Sequence, residues 1–272
     1  MLPELKCLTE AASKLGLPYQ VHDRNGNLIT LEVGGHQYLF ERNYTSFNTE
    51  TEARICLDKE HTYQLLHKVI PMPATLGFFD PHQATQYEAY KHQTSVAQMV
   101  QVAEEQFGFP QIIKRNRGAL GSQVYMAQSA VEAENAFQAI FNREDKDYDY
   151  VALAQQFITT EREFRAVFFR GRLLLAYERF AGQRAFKANY WQLPEGRSLL
   201  VKESALLEQI QGFVKPIFKV FPISWVGVDL LVDSSGGWYL LELNSGPRFQ
   251  HFIQNHGTAE IVHLYSQVLK EL

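Results

Sequence analysis

The stretch WVGVDLLVDSSGGWYLLELN, residues 225–244, decides the fold assignment. Two apolar runs flank the turn sequence Asp233-Ser-Ser-Gly-Gly237, which predicts two strands joined by a tight turn and paired antiparallel. Asp229 lies within the first strand, and Glu242 and Asn244 lie within the second. The last two are two residues apart, so we expect their side chains to share one face of the sheet.

The polar residues of these strands predict a metal site. A carboxylate in an apolar strand is costly to bury alone. Two carboxylates and an amide on one face offer the oxygen ligands that Mg²⁺ prefers, with phosphate oxygens completing its coordination. Asp229, Glu242 and Asn244 are therefore the candidate metal ligands. A second interpretation stays open, in which the two carboxylates pair with Arg or Lys in a buried network.

A second polar feature follows a short apolar strand at residues 111–114. Lys114 ends this strand, and the loop after it contains Gly118, Gly121 and Ser122. Such a loop can present backbone N–H groups to phosphate while the lysine adds a positive charge. Neither a Walker P-loop nor a G-x-G-x-x-G motif is present, so a plain glycine turn beside a solvated lysine is the alternative.

A third feature lies at the end of another predicted strand. The backbone of Gln155, Gln156, Phe157 and Ile158 could bind the edge of an adenine ring. Glu163, seven residues after Gln156, could bind ribose hydroxyls. A simple strand–turn–strand explains the same residues, since such connections are common in proteins of every function.

The remaining sequence predicts a mixed order of helices and strands. Strands 151–158, 163–169 and 173–179 read as an antiparallel meander, and the polar stretch 181–200 reads as a mobile loop that orders when nucleotide binds. The order is neither a steady alternation nor all-β, so we predict an α+β fold in two subdomains with a cleft. Helices are predicted at residues 2–15, 50–69, 129–142, 203–219 and 257–271.

The composition narrows the class of protein. The net charge is −4 and no dense basic stripe is present, which argues against a nucleic-acid partner. No run of 18 apolar residues exists, so the sequence predicts no membrane span, and the N-terminus lacks the pattern of a signal peptide. The two isolated cysteines, Cys7 and Cys56, indicate buried thiols in a reducing, cytoplasmic setting.

Taken in order, these segments resemble the ATP-grasp superfamily of carboxylate–amine ligases over about Asp58 to His251. The segment that starts at Asp58-Lys59 looks like the opening lysine segment of that family, and 109–121 looks like its phosphate loop. Phe186-Lys-Ala-Asn189 resembles a segment of ribosomal-protein glutamate ligases. Residues before Asp58 are similar to those that precede this domain in bifunctional glutathione synthetases and cyanophycin synthetases.

The resemblance implies an ATP-grasp fold, with two α+β subdomains that clasp ATP. It divides the chain into a short N-terminal region, 1–57, and an ATP-grasp domain, 58–272. Within that domain it implies a central lid subdomain at about 72–157 and a C-terminal subdomain at about 158–272. The hinge carries glutamines where an acidic residue is common in the family, which would weaken nucleotide binding.

The resemblance also implies the chemistry. With ATP and Mg²⁺, or Mn²⁺ in its place, a substrate carboxylate becomes an acyl phosphate and then joins an amine of an amino acid or peptide. Lys59 and Lys114 would neutralise phosphate oxygens. A small-molecule kinase and a non-ligase regulatory subunit remain the alternatives. The candidate residues for holding the acyl phosphate or the substrate are Arg179, Arg184, Lys187, Asn189 and Arg248.

The length of the N-terminal region leads to an expectation about assembly. A single helix and a small meander offer little surface for enclosing a substrate, and a small meander is marginal unless it packs on something larger. We therefore expect a homodimer, with the exposed face of helix 2–15 and a sheet edge as contacts. The rival expectation is that the N-terminal unit packs on its own ATP-binding body and the protein is monomeric.

Overall fold

A computed structural model describes residues 1–83, 85–118, 121–180 and 196–272 of the chain. The α-helices are α1 (Pro3–Lys14), α2 (Glu50–Leu57), α3 (Lys59–Leu66), α4 (Val96–Phe107), α5 (Ala130–Ile140), α6 (Ser204–Val214), α7 (Ile217–Val220), α8 (Gln250–His256) and α9 (Ala259–Lys270). The strands are β1 (Tyr19–Val21), β2 (Leu28–Val33), β3 (His36–Glu41), β4 (Tyr44–Thr45), β5 (Thr75–Phe79), β6 (Gln111–Arg115), β7 (Val124–Ala127), β8 (Val151–Gln156), β9 (Thr160–Phe169), β10 (Arg172–Phe180), β11 (Arg197–Leu200), β12 (Trp225–Asp233) and β13 (Trp238–Asn244).

The described strands form three antiparallel sheets. The N-terminal sheet has the order β1-β2-β3-β4, the small sheet β5-β8-β6-β7, and the large sheet β11-β10-β9-β12-β13. A 3₁₀ helix (Thr85–Tyr90) precedes α4. Helices pack on antiparallel sheets throughout, which confirms the predicted α+β class.

The small sheet carries α4 and α5 on one face. Both helices begin at serine caps, because Ser95 accepts from the amide of Gln98 and Ser129 accepts from that of Glu132. Their apolar faces bury Met99 and Phe137 against the sheet. This unit leaves its other face available to contribute side chains to a cleft.

The large sheet lies between two apolar clusters, because side chains alternate between its faces. On one face, Val167 and Phe169 pack with α1, α8, α9 and the N-terminal sheet, and Cys7 is buried in this cluster. On the other face, Phe164 and Phe168 pack with α6 and α7, and Cys56 is buried there. Burial raises the pKa of both thiols, to about 11 for Cys7 and about 12 for Cys56.

The N-terminal unit packs on the body of its own chain. The apolar face of α1, which includes Leu5 and Leu8, contacts α9 in the first of these clusters. The rival expectation for the N-terminal region thus describes the packing that is observed within the chain. The oligomeric state stays a prediction.

Several local predictions were wrong. Strand β8 does not form a meander with β9 and β10, because it pairs with β5 and β6 in the small sheet. Residues 50–69 form two helices instead of one, since Asp58 ends α2 and caps α3. The predicted loop 181–200 contains β11, where buried Ser198 pairs with Arg179. The remainder of that loop, 181–195, lies outside the described residues.

Strand β5 and helices α4 and α8 had no counterpart in the sequence interpretation. Within the described part of the chain, no helix is long and apolar enough to cross a membrane.

Candidate active site

The strand register of the large sheet brings the three predicted metal ligands together. Asp229 of β12 lies opposite Glu242 of β13, and it is only 2% exposed. The Nδ2 atom of Asn244 lies 3.3 Å from Asp229 Oδ2 and 3.3 Å from Glu242 Oε1. The three side chains therefore share one face, as their spacing predicts.

We call the sheet face that carries Asp229, Glu242 and Asn244 the acidic face. Two arginines lie beside it on the neighbouring strands. Arg165 of β9 lies opposite Asp229 and binds both of its carboxylate oxygens, with Nη2 2.9 Å from Oδ2. Arg179 of β10 lies with Nη2 3.1 Å from Asp229 Oδ1 and donates from Nη1 to Glu163 at 2.7 Å. The alternative interpretation of a buried ion-pair network thus describes real contacts. These contacts occur in the same cluster as the candidate metal ligands.

Arg165 was not among the predicted site residues. A signal for it exists in the sequence, because it lies two residues after Glu163 in a strand and so faces the same way. An arginine within an otherwise apolar strand requires a buried partner. Its partner, Asp229, is 64 residues away in the chain, so local spacing could not predict that the two side chains bind each other.

The two neighbouring carboxylates titrate as a pair. Burial raises the pKa of Asp229 above its ordinary value, although the guanidinium groups beside it oppose this. Burial also disfavours the ionised form of Glu242, but the charges of Lys59 and Arg165 outweigh it and hold the Glu242 pKa below its ordinary value. Glu242 is therefore negatively charged at neutral pH.

The small sheet contributes Lys114 of β6, which is 5% exposed. Its Nζ donates to Gln155 Oε1 at 2.9 Å, and Gln155 Nε2 donates to Thr75 Oγ1 at 2.8 Å. Burial, together with the charge of Lys59, lowers the Lys114 pKa to about 7, although the charge of Glu242 opposes this. The side chain of Gln155 thus supports the lysine with a neutral amide instead of a carboxylate.

Lys59 joins the two sheets. It is the first residue of α3, and its Nζ donates to Gly118 O at 2.6 Å while lying 3.9 Å from Glu242 Oε2. The helix start is fixed by Asp58, whose side chain accepts from the amide of His61, and by Asn116 Oδ1, which accepts from the amide of Glu60. The lysine is therefore held between the predicted phosphate loop and the acidic face.

The rest of the phosphate loop is tied to the small unit. Gly121 adopts the left-handed conformation at φ +65°, which favours glycine. Ser122 Oγ donates to Asp147 Oδ2 at 2.7 Å, and Arg115 lies 3.0 Å from the other oxygen of Asp147. Residues 119 and 120 lie outside the described part of the chain. Phosphate binding by this loop stays a prediction.

The predicted adenine hinge connects the two sheets. Gln156 is exposed and its Oε1 lies 3.4 Å from the amide of Ala74, while Phe157 and Ile158 are partly buried between β8 and β9. Glu163 lies on the acidic face, paired with Arg179. Nucleotide binding by these residues stays a prediction.

The predicted substrate cations fall into two groups. Arg179 is largely buried and lies within the acidic face, and Arg248 is exposed in the loop after β13. Arg184, Lys187 and Asn189 lie outside the described residues.

The donor set fits a hard divalent cation. Among the described residues, no group of three or more Asp, Glu, His or Cys is placed to hold a metal by itself. Asp229, Glu242 and Asn244 supply two carboxylates and one amide, a small set of protein oxygens that suits Mg²⁺ together with phosphate and water. Asp229, Glu242 and Asn244 are the residues that would hold such a cation.

Comparisons with known proteins concern the family and the fold of the chain. The sequence model of the RimK-like ATP-grasp domain matches residues 57–266. Solved structures with a similar fold include the ATP-grasp ligase PsnB complexed with a minimal precursor, with 16% identity and a TM-score of 0.56 over 83% of this chain and 64% of PsnB. This chain therefore spans less than two thirds of the length of PsnB.

Two further structures are a D-alanyl-alanine synthetase and a D-alanine–D-alanine ligase. D-alanyl-alanine synthetase A from Vibrio cholerae has 16% identity and a TM-score of 0.59, covering 82% of this chain and 68% of its own. D-alanine–D-alanine ligase from Bacillus anthracis has 16% identity and a TM-score of 0.56, covering 82% and 72%. At these identities the likeness concerns the fold. No curated protein sequence matches the chain.

Proposed function

The chain belongs to the RimK-like ATP-grasp family, and from this premise we propose that it is a ligase that activates a carboxylate as an acyl phosphate and couples it to an amine. The amine belongs to an amino acid or a peptide. The predicted cofactors are ATP and Mg²⁺, with Mn²⁺ as a substitute. The ATP-grasp fold and the family match support ATP-dependent ligation in general. The identity of the carboxylate and of the amine is the part that we propose.

One observation carries the proposal. The carboxylates of Asp229 and Glu242 and the amide of Asn244 lie on the large sheet, and Lys59 contacts Glu242 while it is also bound to Gly118 of the small unit. A nucleoside triphosphate that binds with a divalent cation needs negative groups for the cation and positive groups for the phosphates. Phosphoryl transfer depends on this positioning and charge neutralisation.

Each group has a role that follows from its surroundings. Asp229, Glu242 and Asn244 would hold Mg²⁺, which supplies Lewis-acid stabilisation of phosphate charge when bound. Lys59 and Lys114 would bind phosphate oxygens as point charges. Exposed Arg248 would orient the substrate carboxylate, which a guanidinium can bind with two hydrogen bonds. The chain needs little side-chain acid–base chemistry for this reaction.

The test is a screen of carboxylate and amine pairs with ATP and Mg²⁺. ADP release that requires both substrates, with a product mass equal to their sum less water, would support the proposal. Hydroxylamine in place of the amine should trap the activated carboxylate as a hydroxamate. A phosphorylated hydroxyl product would instead identify a kinase, and nucleotide binding without any ADP release would favour a regulatory protein.

The homodimer remains part of the proposal. Strand β1 pairs with β2 on one side, and no described strand pairs with its outer edge, where Tyr19 and Val21 are exposed. Such an edge suits strand addition by a second copy. We expect light scattering during gel filtration to give twice the mass of the chain at micromolar concentration. A monomer mass together with full activity at high dilution would contradict this.

A further inference from the structure

The N-terminal unit contacts the loop that follows the candidate metal ligand Asn244. A single amide, that of Asn48, makes three bonds to backbone groups there. Its Nδ2 donates to Trp225 O at 2.7 Å and to Ser245 O at 3.3 Å, and its Oδ1 accepts from Trp225 N at 2.8 Å. Asn48 thus joins the start of β12 to the residue directly after Asn244.

This bridge lies where the strand ladder ends. The last pair between β12 and β13 is Gly227 with Asn244, and beyond this pair the two strands are no longer paired. Backbone groups at such a point need new partners, since unpaired buried groups are costly. The amide of Asn48 donates and accepts as a strand residue would, and so replaces the missing ladder partner of Trp225.

A second contact brings the N-terminal unit against the same loop. Asn43 Nδ2 donates to Gly246 O at 3.0 Å. A Cβ atom at residue 246 would lie only 2.4 Å from that Nδ2 and 2.6 Å from the backbone oxygen of Asn43. The approach therefore requires glycine at position 246.

The same loop also approaches the site at Gly227 of β12. A Cβ atom at Gly227 would lie 2.7 Å from Arg165 Nη1 and 2.9 Å from Pro247 Cβ. Pro247 of this loop and the guanidinium that binds Asp229 therefore both lie over Gly227, the residue that pairs with Asn244. A displacement of this loop would reach two components of the site, the Asn244 amide and the Arg165 guanidinium.

We propose that the N-terminal unit completes the metal site, and that Asn48 is a positioning residue that fixes the backbone after Asn244 and so holds the Asn244 amide in place. The inference rests on the proposed function, because it takes Asn244 as a metal ligand. Residues that orient metal ligands typically change metal affinity 10- to 100-fold when they are replaced.

The experiment compares ATP binding by calorimetry in EDTA and in excess MgCl₂. The variant Asn48→Asp keeps the shape and the acceptor for Trp225 N but loses both donated bonds, and Asn48→Ala loses all three. The matched control is Asn27→Ala in the same unit, since Asn27 Oδ1 accepts from Leu2 N at 2.9 Å. Thermal unfolding verifies that each variant folds.

In the wild type, Mg²⁺ should strengthen ATP binding. In the Asn48 variants we expect this gain to shrink by about tenfold or more while the affinity in EDTA stays within about twofold. Asn27→Ala should keep both values. Such a split would not follow from a general loss of stability, which would weaken both affinities alike.

A folded Asn48→Asp variant that retains the full Mg²⁺ gain would overturn the inference. A wild type without any gain would overturn the metal assignment of the proposed function itself, and the inference with it. Should both Asn48 variants fail to fold, Asn43→Ala removes one bond to the same loop and is judged by the same criterion.

Discussion

The large and small sheets differ in the neighbours that surround a buried charged side chain. On the large sheet, Asp229 is matched by the guanidinium groups of Arg165 and Arg179. On the small sheet, Lys114 is buried beside the neutral amide of Gln155, and its pKa falls to about 7. The first arrangement is compensated within the protein. The charged form of Lys114 becomes favourable only when a negatively charged ligand binds. Asp229 and its arginines therefore also stabilise the fold, whereas Lys114 serves ligand binding.

The largest expected effect concerns the acidic face. Asp229→Asn and Glu242→Gln should each lower ATP turnover by at least about 100-fold, because each removes a charge from the proposed metal site. Asp229→Asn should also lower the free energy of unfolding by about 3 kcal/mol, since it removes the carboxylate that Arg165 binds with two bonds and one of the two carboxylates that Arg179 binds.

Glu242→Gln should change stability by less than about 1 kcal/mol, because its side chain is 30% exposed and its ion pair with Lys59 is long, at 3.9 Å. ADP release and urea unfolding measure the two effects. Retained turnover in both variants would refute the metal assignment.

A matched pair of substitutions tests the comparison directly. Lys114→Met should leave the free energy of unfolding within about 1 kcal/mol of the wild type, because no carboxylate of the described residues forms an ion pair with this buried lysine, which therefore contributes little to the fold. Arg165→Met should lower it by about 3 kcal/mol, since Asp229 loses its cross-strand partner. Both should lose turnover. Equal destabilisation in urea would show that the two sheets do not differ in this way.

The last expected effect is a dependence of ATP affinity on pH, and it needs no substitution. Phosphate favours the charged form of Lys114, whose pKa in the free protein is about 7, so binding should take up a proton above pH 7. The complex then holds more protons than the free protein, and ATP affinity should fall as pH rises from 7 to 9, by up to about tenfold per unit.

The variant Gln155→Glu places a carboxylate beside Lys114 and should move this decline upward by about one pH unit. Calorimetry in two buffers with different ionisation enthalpies reports the proton uptake. An absence of uptake at pH 8 in the wild type would contradict the prediction.

Local sequence predicted what depends on neighbours in the chain. The turn at 233–237 and the apolar runs beside it predict the β12–β13 pair, and period-two spacing predicts that Glu242 and Asn244 share a face. The ATP-grasp resemblance and the α+β class are confirmed for the same reason, since the family segments are contiguous stretches.

Contacts between segments far apart in the sequence could not be predicted from local patterns. Strand β8 looks locally like a neighbour of β9, yet it pairs with β5 and β6, which begin 76 and 40 residues before it. The Arg165–Asp229 contact and the Asn48 bridge to Trp225 likewise join segments 64 and 177 residues apart. Such contacts depend on how the sheets assemble, which periodicity within one segment does not encode.

The two buried cysteines give the protein a pair of native chemical reporters. Cys7 lies under one face of the large sheet and Cys56 under the other, and neither forms a disulfide. An alkylating reagent can reach each thiol only when the layer above it opens, so the labelling rate at each site measures the opening of one side alone. Mass spectrometry of the two cysteine peptides would then time how α1, which contains Cys7, and α2, which contains Cys56, detach from the large sheet, without any engineered probe.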